Sequence, residues 1–127
     1  VRDHPAAGEK PVIWVGSSKR ALLRFPARVV RDIGAALSVA QYGGIDPAAK
    51  VWKGQGPGVL EIVEDFDRAT YRAVYTVRFT SAIYVLHCFQ KKSPSGVRTS
   101  RHDVELIEKR LRDARVDYQE RYGKGAT

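Results

Sequence analysis

Two hydrophobic periods run along this chain, one of helical spacing and one of strand spacing. Residues 11–15, PVIWV, form a short apolar run suited to a buried strand, and GSSKRALLRFP follows with Ser17 or Ser18 placed to cap a helix. Val30, Ile33 and Leu37, with Val29 and Ala36 beside them, make one stripe of a helix predicted over about residues 26–40, with Pro26 at its first position. That helix stops before Gly43 and Gly44, and GGIDPAAK reads as a loop.

From residue 51 the period becomes two. After a GQGPG turn, Leu60, Ile62 and Phe66 alternate with Glu61, Val63 and Asp65. DRAT is a compact turn, and the next strand puts Tyr71, Ala73, Tyr75, Val77 and Phe79 on one face and Arg72, Val74, Thr76 and Arg78 on the other. IYVLHCF is apolar on both faces, as a central strand is. Helical spacing returns at the end, where Ser100 caps a helix whose Val104, Ile107, Leu111 and Ala114 form the buried stripe. Glu105–Lys109 and Glu108–Arg112 have the i, i+4 spacing of ion pairs on its exposed side.

The predicted order is β-α-α-β-β-β-α. It gives an α+β fold: a small antiparallel β-sheet with an N-terminal helical hairpin and a C-terminal helix, the helices on one sheet face and the other face partly open. Residues 10–118 read as a single domain, 1–9 as a flexible leader and 119–127 as a C-terminal tail.

Composition narrows the class. A chain of 127 residues with 43% hydrophobic and 28% charged positions is globular, and no apolar run approaches the ~20 residues of a membrane span. One cysteine, Cys88, excludes an intramolecular disulfide, and no Cys/His grouping has zinc spacing, so a reducing, cytoplasmic compartment is expected with no metal and no cofactor. A formal charge of +8 attracts nucleic acid, acidic proteins or anionic lipid without choosing among them.

The local charge says more. From Arg68 to His102 there are seven Lys or Arg residues and no Asp or Glu. With Arg72 and Arg78 on one strand face, about 20 Å apart at ~3.3 Å per residue, and Lys91 and Lys92 at a strand end, the segment suits an anion-binding surface. Plainer roles compete at each position. Arg78 and Arg101 fit a solvated face, Arg72 a cross-strand ion pair with Glu61, and His87 a hydrogen-bonded core position. His102 fits the helix surface, Cys88 an inert interior site, and Tyr71, Tyr75 and Tyr84 packing. No serine-histidine-acid triad or phosphate loop is present.

In order, KGQGPGVLEI, TYRAVYTV, IYVLHCFQKKSPSGVRT and a charged amphipathic helix resemble the HigB-like branch of the RelE/ParE toxin superfamily, including its phage-derived RelE-like members, over residues 10–118. The resemblance implies a type II toxin-antitoxin toxin that enters the ribosomal A site and cuts mRNA without a metal. Its partner would be a helix-turn-helix antitoxin of HigA/Xre-like type. By the same resemblance Arg72 contacts the reacting phosphate, and Lys91 and Lys92 help bind or activate. Glu61 is either general base or the residue that orients Arg72. Lys53, Arg78 and Arg98 position backbone phosphates. Where RelE relatives carry lysines on the strand before YR, this chain has Glu61 and Val63, so that branch's lysine base has no counterpart here; His87 and His102 stay unassigned. A ParE-like gyrase inhibitor or a catalytically inactive nucleic-acid-binding protein would have the same fold.

Overall fold

The apolar run at the start of the chain becomes an edge strand whose partner lies far along the sequence. In the computed structural model, which describes residues 8–91 and 99–123, β1 (Val12–Trp14) runs parallel to β5 (Ile83–Lys91). The other contacts are antiparallel: β5 with β4 (Ala69–Thr76), β4 with β3 (Val59–Phe66), and β3 with the short β2 (Ala49–Val51). The sheet order is β1-β5-β4-β3-β2. The antiparallel meander is thus as expected, and β1 makes the whole sheet mixed. Asp67 and Arg68 both have positive φ, 49° and 65°, the two left-handed positions that a two-residue hairpin between β3 and β4 requires.

Helices cover both faces, which corrects the expectation of helices on one face only. The helical hairpin, α1 (Ser18–Leu22) and α2 (Ala27–Gln41), buries Leu22, Val29, Ile33 and Leu37 against Ile62, Ala73, Tyr75 and Val85. The long helix α3 (Arg101–Tyr122) buries Ile107, Leu111, Ala114 and Tyr118 against Val59, Val74, Tyr84 and Leu86 on the opposite face. The reason lies in β5: a strand apolar on both sides needs both sides covered. Ser100 caps α3 as expected, accepting from the Asp103 N–H at 3.1 Å. The exposed ion pairs of α3 fall on other residues than the sequence suggests. Lys109 meets Asp113 at 2.9 Å, and Glu108 turns to the glycine-rich loop and accepts from Gln55 at 3.0 Å.

A β-bulge shapes the middle of β5. Val74 pairs with His87 but Tyr75 pairs with Val85, so Leu86 is the extra residue. The extra residue shifts the alternation: Tyr84, Leu86 and Phe89 all pack on the α3 face, and Cys88 faces the hairpin. Arg110 of α3 donates to the Leu86 carbonyl and to Ser17 Oγ, each at 3.0 Å, tying bulge, α3 and the turn after β1 together. Gly16, at φ +56°, leaves room for this, because a Cβ there would lie 3.0 Å from the guanidinium. Among the described residues no helix is long and apolar enough to cross a membrane.

Candidate functional site

Register decides which charged side chains meet. Glu61 pairs with Val74 and Val63 pairs with Arg72, so Glu61 and Arg72 are diagonal neighbours on one face of β3 and β4. Arg72 Nη1 donates to Glu61 Oε1. The side chains are only 14% and 9% exposed, so this is a nearly buried ion pair and not a solvated one. Its Nε is buried with no hydrogen-bond partner among the described residues. The guanidinium is therefore held, oriented and incompletely satisfied.

Arg72 also pairs with Phe89, and Thr70 with Lys91, so Lys91 reaches the same face one diagonal step from Arg72, roughly 7–8 Å by strand geometry. Lys91 is half-buried at the end of β5. On the other diagonal stands His87, stacked on Phe89 with ring centroids 4.8 Å apart. His87 Nε2 lies 2.7 Å from Asp103 Oδ1 in the first turn of α3, and Ser100 Oγ donates to the other Asp103 oxygen at 2.6 Å. Burial holds the His87 pKa below its ordinary value, against the opposing pull of Asp103. Burial thus favours the neutral imidazole, and its Nδ1 is buried with no hydrogen-bond partner among the described residues. Closed off in this way, His87 is a hydrogen-bonded tie between β5 and α3, the plainer of its two sequence readings.

Arg78 sits elsewhere than the alternation suggests. The strand β4 ends at Thr76, and Arg78 lies in the following turn, so it does not share the sheet face of Arg72. Its Nε donates to the Pro57 carbonyl at 3.1 Å and its Nη2 to the Gln55 carbonyl. Gly56 and Gly58, at φ +81° and +82°, fold the loop closely over it; a Cβ at Gly58 would lie 3.1 Å from the Arg78 Cα. Arg78 therefore fastens the loop that displays Lys53, which is itself exposed. Lys92 and Arg98 lie outside the described residues. Arg101 and His102 are exposed on the first turn of α3. Cys88 is buried, and burial pushes its thiol pKa up to about 12, which keeps it protonated and inert.

The structure thus brings Glu61, Arg72 and Lys91 onto one face beside His87 and Asp103, and sets Arg78, in the turn after β4, against the glycine-rich loop that displays Lys53. Asp103 escaped the sequence reading, although its place three residues after Ser100 is a helix-start signal. Chemically, the face offers a fixed guanidinium and a neighbouring ammonium for an anion's oxygens, with a carboxylate that sets the guanidinium's orientation.

The family described as Phage derived protein Gp49-like (DUF891) matches residues 20–112, which takes in every residue of this face. No curated protein matches the chain. Since the match covers 93 of the 127 residues, the chain belongs to the phage-derived Gp49-like family, within the RelE/ParE-like toxin superfamily.

Proposed function

We propose that this protein is the toxin of a type II toxin-antitoxin pair of the HigB-like branch, a metal-independent endoribonuclease that cuts mRNA in the ribosomal A site and is held in check by a HigA/Xre-like helix-turn-helix antitoxin in the cytoplasm. The observation that carries the reading is the nearly buried Glu61–Arg72 pair on the sheet face with Lys91 beside it, in a chain of a toxin family. In such cleavage the 2′-hydroxyl attacks the adjacent phosphorus and the 5′-oxygen leaves, while negative charge gathers on the nonbridging oxygens. Arg72 meets that charge, and Glu61 keeps its fork fixed before substrate arrives, so little reorganisation is needed at the moment of reaction. Lys91, with Lys92 next in sequence, neutralises the leaving side. Lys53 holds backbone phosphate, and Arg98 does the same; Arg78 contributes by fixing the loop that carries Lys53. Codon choice comes largely from the ribosome.

The test is induction in cells with mapping of mRNA ends. Wild-type protein is expected to stop translation and leave cuts within coding regions. Arg72→Lys, which retains the charge and loses the fork, lowers cleavage roughly 100- to 1,000-fold. Full cleavage by a folded Arg72→Lys protein would refute the role of Arg72. DNA damage with intact mRNA would replace the ribonuclease with a ParE-like gyrase inhibitor, and neither effect would leave a nucleic-acid-binding protein without catalysis.

A further inference from the structure

The glycine-rich loop between β2 and β3 is closed at its base and held again in its middle. Trp52 donates its N–H to the Val59 carbonyl at 2.9 Å, and Thr76 Oγ1 donates to the Gly58 carbonyl at 2.7 Å. Between these ends, glycine at positions 54, 56 and 58 makes a segment that loses much backbone freedom when it is ordered. Gln55 is where it is held. Its carbonyl accepts from Arg78 Nη2, and its side-chain Nε2 donates to Glu108 Oε2 of α3 at 3.0 Å. Glu108 has another cation to hand. Its i+4 neighbour on α3 is the exposed Arg112, yet the half-buried carboxylate is turned to a neutral amide 53 residues earlier in the chain. A hydrogen bond to an ionised acceptor is about twice as strong as one between neutral groups. The same helix is fastened to β5, where Asp103 meets His87 at 2.7 Å and Arg110 donates to the Leu86 carbonyl at 3.0 Å. Thus α3 is a common support for the loop that displays Lys53 and for the face that carries Arg72 and Lys91.

We propose that Glu108 is a positioning residue of the nucleic-acid-binding surface: through Gln55 it holds Lys53 at a fixed place relative to Arg72 and Lys91. The inference rests on the reading of Lys53 as a phosphate contact. A bound strand then meets cations already spaced for it, and the entropy of ordering the loop is lost on folding and not on binding. Charge alone predicts the opposite outcome. A carboxylate beside a surface that binds phosphates repels them, so its removal should tighten binding. A residue that keeps Lys53 in place weakens binding when it is lost.

Binding of a 20-nucleotide single-stranded RNA to the full chain, followed by fluorescence polarisation at 0.1 M salt, separates the two. Glu108→Ala is expected to weaken binding at least threefold, and Glu108→Gln, whose amide oxygen still accepts from Gln55, to bind at least as tightly as wild type. Gln55→Ala should weaken it as Glu108→Ala does, which decides the matter if Glu108→Ala fails to fold. In a Lys53→Ala background Glu108→Ala should have no further effect, because the side chain it positions has gone. Amide hydrogen exchange at residues 53–56 should quicken in Glu108→Ala and Gln55→Ala and not in Glu108→Gln. Unchanged or tighter binding by folded Glu108→Ala and Gln55→Ala would overturn the inference, as would equal weakening by Glu108→Ala and Glu108→Gln, or a loss of the same size with and without Lys53. Wild-type protein that binds no RNA, or Lys53→Ala that binds it like wild type, would overturn the inference together with the phosphate role of Lys53. A weakened Lys53→Ala beside an unaffected Glu108→Ala strikes the positioning alone.

Discussion

Arg72 keeps its charge on a nearly closed sheet face because Glu61 stands on the neighbouring strand to receive it. Removing one partner leaves the other charged, buried and alone. Arg72→Ala is therefore expected to cost roughly 3–5 kcal/mol of stability, and the joint replacement Arg72→Met with Glu61→Leu to recover most of that loss. Urea denaturation of Arg72→Ala, of Arg72→Met and Glu61→Leu singly, and of the double variant measures it; additive losses for Arg72→Met and Glu61→Leu would show that the pair contributes nothing as a pair. The sequence alone named both partners, because diagonal residues on one face of a hairpin are neighbours. Burial was hidden from it: whether that face is wet depends on α3 and on β5, more than ten residues farther on. Arg78 was misplaced for a related reason. Strand alternation was carried two residues beyond the end of β4, into a turn whose glycine-rich partner loop claims the guanidinium.

Among the elements, β5 and α3 are joined by His87 and Asp103, and that joint is sensitive to pH. Burial lowers the His87 pKa below 6.5, so the unfolded chain takes up the proton more readily than the folded one. Stability from this group is fully present above about pH 6.5 and is lost as pH falls through the folded value. Urea midpoints taken from pH 8 to pH 5 should fall more steeply in wild-type protein than in His87→Phe, which has no imidazole to protonate. Parallel pH profiles would remove His87 from that account. The elements themselves were largely readable: α2 from its stripe, the β3–β4 hairpin from its short turn, and α3 from Ser100 and its buried positions. Two features were not. The bulge at Leu86 leaves no trace in IYVLHCF, because every side chain that could reveal a change of face is apolar except His87. The parallel contact of β1 joins segments with no local signal to connect them.

At the scale of the whole molecule, the +8 charge is not one diffuse field, since Arg72 and Lys91 share one sheet face and Arg78 fastens the glycine-rich loop that displays Lys53. Binding of single-stranded RNA should weaken steeply with salt, with a slope near 0.7 per phosphate neutralised. Lys53→Ala and Lys91→Ala should each flatten that slope by about 0.7, and Arg28→Ala, an exposed position on α2 across the sheet from Arg72, should leave it unchanged. Equal slopes for all four proteins would place RNA on another surface.

The parallel contact of β1 also orders events during synthesis. Ser18 Oγ donates to the carbonyl of Val85, 67 residues later, and Arg110 reaches back 93 residues to Ser17. A nascent chain that has emerged only as far as β4 has made the Arg72–Glu61 hairpin, but β1 has no strand to join. His87 gains Asp103 only when α3 follows. Loop closure of this length makes assembly slow relative to local pairing. Unfinished chains therefore carry Glu61 and Arg72 on an unsealed sheet, and that face closes only after α3 has followed β5 out of the ribosome.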